Sequence, residues 1–224
     1  MMGNVFLTVL WLGWVFAYRP FYSTDADVEE KGRVEVEAGI LELEFSSGHI
    51  FNRPLLVVNW GLGKGLELVG EVEARHGFEG LVPGDGEVLE KNLLVKWVFK
   101  EGALQGRAGV SAALEGGFNL NSGAEITAIF SGRFSHLTWH LNFGPRLGSD
   151  GETGYFAGFI LEGPEFHRVR AVGEWALERK GEEAEAFLLV GFIWDLRKFS
   201  LDFALRRNLS QGFFSLSAGG TFGF

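Results

Sequence analysis

The chain has no cysteine and only 5 prolines in 224 residues. Disulfides, thiolate metal sites and thiol catalysis are therefore excluded, and nothing chemical speaks against an oxidising compartment. Positive charge is scarce: the formal net charge is −9, and no Lys/Arg cluster stands apart from it. Nucleic acid is excluded as a partner. Beyond Ala17 no run reaches the roughly twenty uninterrupted apolar residues that a transmembrane helix needs. If the mature chain enters a membrane, it does so with strands.

What is abundant is glycine, at 33 residues, and phenylalanine, at 22. Many turns and many aromatics point to β-structure rather than disorder. The start differs from the rest. Residues 5–17, VFLTVLWLGWVFA, form an apolar run of signal-peptide length that closes on a small residue. Residues 1–17 are read as a signal peptide, 18–32 as a polar periplasmic segment, and 33–224 as one β-barrel. The segment MMGN before the run carries no Lys or Arg, so a first buried strand or an anchor stays the alternative there.

From Arg33 onward the sequence divides into stretches of about ten residues that suit tilted membrane-crossing strands. These are Arg33–Phe45, Arg53–Leu62, Gly65–His76, Val88–Phe99, Gln105–Leu114 and Gly123–Phe134, then His136–Gly144, Gly154–Leu161, Phe166–Leu177, Glu185–Asp195, Lys198–Arg206 and Gly212–Phe224. They make about twelve, the even number of an up-and-down antiparallel barrel. Short links such as LGKG and EGPE alternate with longer ones such as HGFEGLVPGDGE and RLGSDGET. That alternation predicts tight turns on one side, longer loops on the other, and both termini in the periplasm.

Within each stretch two faces separate with a period of two. Leu137, Trp139, Leu141 and Phe143 oppose His136, Thr138, His140 and Asn142; Phe199, Leu201, Phe203 and Leu205 oppose Ser200, Asp202, Ala204 and Arg206. A barrel of twelve strands is too wide for a dry side-chain core, so the polar face belongs inside and the apolar face in lipid. Trp60, Trp97, Trp139 and Trp175 are expected to form an interfacial girdle. Around Ile40–Leu41 the apolar parity switches, which predicts a β-bulge. The stretch GEWALERKGEEAEAFLLV also fits an amphipathic helix, but Gly181 divides it and alternation continues on both sides.

The inward charges then define the candidate site. Glu35, Glu37, Glu67, Glu71 and Glu73 lie on early strands. Lys96, Arg107, Arg133, Arg168, Arg170 and Arg206 lie on middle and late ones, interspersed with Glu125, Glu174 and Asp202. Walls of opposite sign would set a transverse field that selects permeating solutes; the alternative is that these charges simply pair and keep the interior hydrated. His136 and His140 share a face but stand roughly 13 Å apart along a strand, too far to chelate one ion. No metal site and no cofactor is expected. Ser135 and His136 are adjacent and so on opposite faces, and G-x-S-x-G is absent. The chain is read as not an enzyme, with an outer-membrane lipid hydrolase as the remote alternative. GLGKG at 61–65 is read as a hairpin turn rather than a phosphate loop, and PGDGE at 83–87 as a turn rather than a calcium loop.

Several phrases in order, among them GLELVGEVE, LLVKWVF, LTWHLNFG, LLVGFIWDL, FSLDFALRRNLS and the terminal SAGGTFGF, resemble the outer-membrane barrel family of the MetA-pathway of phenol degradation, whose members are described as transporters. The resemblance implies a bacterial outer-membrane channel in contact with lipid, with aromatic or hydrophobic small molecules as its solutes. It carries over no catalytic residue. A last strand ending on Phe222 and Phe224 also resembles the signal read by the barrel-assembly machinery.

Overall fold

A computed structural model describes residues 21–46, 49–79, 82–102, 109–119, 123–148, 151–196 and 199–224. The expected signal peptide and Arg107 lie outside the described residues. The first half of the chain contributes β1 (Val34–Ser46), β2 (His49–Gly63), β3 (Leu66–Glu79), β4 (Val82–Lys100), β5 (Gly109–Asn119) and β6 (Gly123–Phe134). The second contributes β7 (Leu137–Gly148), β8 (Thr153–Glu162), β9 (Val169–Lys180), β10 (Glu183–Asp195), β11 (Phe199–Asn208) and β12 (Phe214–Gly223). Each strand pairs antiparallel with its sequence neighbour, and β1 pairs with β12, so the sheet closes into a barrel. Closure matters because an open edge in hydrocarbon would leave a row of backbone groups unsatisfied. The seam is completed by Phe224, whose N–H donates to the Val34 carbonyl at 2.8 Å and whose carbonyl accepts the Val34 N–H at 3.2 Å.

Local chemistry sets the turns at the rim that carries Phe224, the near rim. Lys64 and Gly65 both have positive φ, 58° and 72°, as a two-residue hairpin turn requires. This agrees with reading GLGKG as a turn. The phase switch in β1 is a register shift between Ile40 and Glu42 against β2 and between Ile40 and Leu43 against β12. The helical alternative for GEWALERKGEEAEAFLLV is replaced by β9, a turn at Gly181 and β10, paired from Glu183↔Lys180 to Trp194↔Val169.

The expected contrast in loop length is overturned. Stretches that look like long loops on the opposite, far rim are strand instead. β3 and β4 stay paired out to Glu79↔Val82, and β1 and β2 out to Ser46↔His49, so HIFN, HGFE and PGDGE belong to β2, β3 and β4. Ladder hydrogen bonds carry the sheet past the point where apolar alternation fades, because outside the bilayer pairing no longer needs a greasy face. The near rim, by contrast, includes the longer β8–β9 link, where His167 and Arg168 turn the chain with positive φ.

The outer face is apolar. Leu56, Val95, Leu141, Phe159, Val190 and Phe203 are all exposed, a belt that in water would be an aggregation surface and in lipid is the expected one. Aromatic residues flank it at both ends. Trp60, Trp97, Trp194 and Phe222 stand outward near the near rim, and Phe118, Tyr155 and Phe214 near the far rim. Trp139 belongs to the first group and packs over Gly132, where a Cβ would come within 2.2 Å of its ring. Trp175 does not belong to a girdle: it pairs with Phe159 and Leu188 at mid-strand.

Candidate functional site: an occupied lumen

Alternation that turns one face to lipid turns the other to the lumen. Inward from the strands point Glu35, Glu37, Glu67, Glu73, Lys96, His140, Arg170, Glu174, Asp202 and Arg206, all buried, with Glu71 and Glu125 partly so. Arg133 and His136 are exposed at the near rim, where they border the lumenal cavity. Arg168 is displaced from the expected set: β9 begins at Val169, and Arg168 sits in the exposed turn before it.

The lumen holds a second element. Residues 21–32, expected to lie in the periplasm, run inside the barrel. They leave β1 at the near rim, where the Gly32 N–H donates to the Gly61 carbonyl at 2.8 Å. A Cβ on Gly61 would stand 2.2 Å from the Glu30 carbonyl oxygen, so only glycine lets the segment cross there. Deeper in, the Glu29 N–H donates to Glu67 Oε2 at 2.7 Å and the Ala26 N–H to Ser131 Oγ at 2.7 Å. The Thr24 N–H donates to Asn142 Oδ1 at 3.0 Å, while Asn142 Nδ2 donates to the Thr24 carbonyl at 2.7 Å. The Ser23 and Tyr22 N–H groups donate to the two carboxylate oxygens of Glu174 at 2.8 and 3.0 Å. Side chains from β3, β6, β7 and β9 thus satisfy main-chain donors that a loop in a dry lumen would leave orphaned.

Two aromatic residues end the described segment. Phe21 packs on Ile160, Val172, Leu189, Ile193 and Ala204, an apolar wall on the inside of β8–β11. Tyr22 stacks on Phe187 with ring centroids 5.2 Å apart, and the Arg206 guanidinium lies 4.0 Å from the Tyr22 ring centroid. Its hydroxyl accepts from Arg53 at 3.2 Å. Gly158 makes room for the same stretch, since a Cβ there would fall 1.9 Å from Ser23 Oγ.

The charges pair locally rather than wall against wall. Arg53 binds Glu42 at 3.0 Å and Glu73 through both Nε and Nη2. Arg146 binds Glu125 at 3.0 Å, and Arg170 joins Glu162 at 2.8 Å and Asp195 at 2.5 Å. Lys96 stands 3.6 Å from both Glu67 and the segment's own Asp25. Partners on adjacent strands are a few ångströms apart, whereas the opposite wall is across the lumen, and Coulomb energy falls with distance. On the segment itself, burial and the neighbouring Asp25 push the Asp27 carboxyl up to about 7, opposed by the hydrogen bond from the Val28 N–H and by Lys96.

Ser131, His140 and Glu162 come together near the near rim, although Ser135 and His136 are the pair adjacent in sequence. Ser131 Oγ lies 2.7 Å from His140 Nδ1, and His140 Nε2 lies 3.3 Å from Glu162 Oε1. These are a hydrolase's residue types, but Ser131 is fully buried and its oxygen already accepts the Ala26 N–H. Of the three, Ser131 is bonded to the segment, and His140 and Glu162 line up behind it. Among the described residues no group of His, Asp and Glu is placed to hold a metal ion.

Beside the segment remains a cavity of about 1000 Å³. Its lining runs from Arg33, His136 and Glu165 at one rim to Asn119, Gly148 and Glu152 at the other. Fold and lumen together define a membrane-spanning β-barrel of the outer-membrane type, with a charge-bearing interior partly filled by residues 21–32 of the same chain. Solved structures with the same fold include the KdgM porin, at a TM-score of 0.59 and 10% identity over 85% of this chain and 99% of that one. The COG4313 outer membrane channel from Pseudomonas putida F1 matches with a TM-score of 0.61 and 12% identity over 90% of this chain and 99% of that one. A KdgM porin in complex with disordered oligogalacturonate aligns with a TM-score of 0.59. No family model and no curated protein matches the sequence. The closed sheet and apolar belt put the chain in a bilayer, and the barrels that share its fold are outer-membrane proteins.

Proposed function

We propose that this barrel carries small molecules across the outer membrane through its lumen, with residues 21–32 as a constriction that solutes pass beside or displace. The observation that carries this reading is the cavity whose lining reaches both rims alongside a segment held by hydrogen bonds rather than by the sheet. The near rim, with the C-terminus, is the periplasmic one. The paired lumenal charges serve as selectivity elements by presenting both signs to a polar solute. Aromatic or hydrophobic solutes are supported by the apolar inner wall under Phe21 and by further apolar patches on the lumenal side, Val57, Val69 and Leu94 on β2–β4 and Phe156, Ala176 and Phe187 on β8–β10, where a barrel of this type is ordinarily polar. The likeness of its sequence phrases to the MetA-pathway transporters points the same way. Proteoliposomes should swell in isotonic solutions of small neutral and aromatic solutes; liposomes that stay as tight as protein-free ones for every solute would refute the proposal.

A second reading, a barrel closed for good by its segment, is favoured by the side-chain bonds to segment N–H groups at 22, 23, 24, 26 and 29. It predicts that deleting the segment creates flux where the intact chain has none. We also propose that the outward Phe222 and the terminal Phe224 serve recognition by the barrel-assembly machinery. Removing Phe224 should then lower the assembled amount in cells, and unchanged assembly would count against that role.

A further inference from the structure

The lumen reads the segment chiefly through its backbone, and this carries an inference about what else fits there. Asn142 accepts an N–H and donates to the C=O of one and the same residue, Thr24. Glu174 takes two consecutive N–H groups with its two oxygens. Both side chains are almost fully buried, and each is matched to peptide main chain, Glu174 to a bend at Tyr22 and Ser23 that turns consecutive N–H groups to one side. Side-chain recognition falls at four places: Phe21 on its apolar wall, Tyr22 against Phe187 and Arg206, Asp25 beside Lys96, and Ala26 with Val28 against Val98, Ala113 and Ile129. We propose that the lumen is a binding track for peptides with an aromatic pair followed three residues later by an acidic side chain, bent at the pair as the segment is. Residues 21–29 occupy it as a tethered ligand that such a peptide displaces. The inference rests on the reading of the lumen as accessible to solutes, but not on their passage.

Tethering gives the segment an effective concentration on the order of 1 mM, so a free peptide of equal affinity competes at millimolar levels. The chain has no cysteine, and Ser23 is buried when the segment is seated, so Ser23→Cys reports undocking by reaction with a maleimide. In the full chain, the peptide FYSTDADVE at a few millimolar should raise the labelling rate at least ~10-fold. The same peptide N-methylated on the three amides matching 22–24 should not, nor should p-cresol, the bare Tyr side chain, nor a version with both aromatic residues replaced by alanine. Equal acceleration by the N-methylated peptide or by p-cresol would overturn the proposal, as would no acceleration by FYSTDADVE. Calorimetric titration of the unsubstituted chain with the same four probes repeats the test should the cysteine variant fail to assemble, and the same ranking is expected. Peptide displacement without solute flux would refute the passage reading and leave this inference standing.

Discussion

Replacing Tyr22 with alanine should release the segment while leaving the barrel intact. The stack on Phe187 is worth ~0.5–1.5 kcal/mol, and a desolvated guanidinium over the ring about 2 kcal/mol. The hydroxyl's bond to Arg53 contributes less, about 1 kcal/mol, because Glu42 and Glu73 still hold that guanidinium when the hydroxyl is gone. Since neighbouring contributions do not add fully, the sum is about 3 kcal/mol, on the order of 10² in the docking equilibrium. Maleimide labelling of a Ser23→Cys background follows the undocked population when reclosing outpaces reaction. Tyr22→Ala should therefore speed labelling on the order of 10²-fold, and Tyr22→Phe by about 5-fold, since it keeps the ring contacts. The midpoint of barrel unfolding should stay where it is. Labelling of Tyr22→Ala within twofold of its parent would refute the docking energetics.

Gly158→Val should also undock the segment, from β8 of the same wall, because even a Cβ there meets Ser23 Oγ at 1.9 Å and stands 3.1 Å from the Phe156 ring; labelling should rise while strand content by circular dichroism is unchanged. Acidification should tighten docking. Asp27 has a raised carboxyl pKa when docked, so its contribution is fully present below its free value of 3.8 and is lost as pH rises through about 7; labelling at pH 8 should exceed that at pH 5 after correction for thiol ionisation, and Asp27→Asn should flatten the dependence. Leu141, outward in the apolar belt, should tolerate no charge: Leu141→Arg should cost ~2–4 kcal/mol in refolding into bilayers, whereas Asn142→Ala, one residue on and facing the lumen, should cost the barrel far less.

Strand count, strand phase and the β1 bulge were legible because lipid imposes an unbroken period of two that survives in any single strand. The same signal fails where lipid ends. Arg146, Glu115 and Glu162 are lumenal, yet each lies just past the point where apolar alternation stops, so sequence alone assigns them to loops; Arg53 is hidden next to Pro54. Extending the His140, Asn142, Gly144 parity by one step would have found Arg146. Trp175 shows the converse error, since composition marks a tryptophan as interfacial without saying how high on the strand it stands. The segment was illegible for a different reason. DADVEEKG has the composition of a solvated linker, and what seats the segment is main-chain hydrogen bonding to side chains 38 to 152 residues away together with the packing of Phe21 and Tyr22 on the inner wall, neither of which leaves a periodic trace. Pairing among lumenal charges likewise depends on which strands closure makes neighbours.

The central claim, that the lumen is the route and residues 21–32 its constriction, is tested most directly by single-channel recording of the intact barrel and of one lacking residues 21–31, in the same planar bilayer. Removing the segment frees the apolar inner wall and the space around Tyr22, so unit conductance should rise several-fold, and selectivity should shift away from cations because Asp25, Asp27, Glu29 and Glu30 leave with only Lys31 to offset them and Lys96 loses its Asp25 partner. Identical conductance in the two proteins, or none in either, would contradict it.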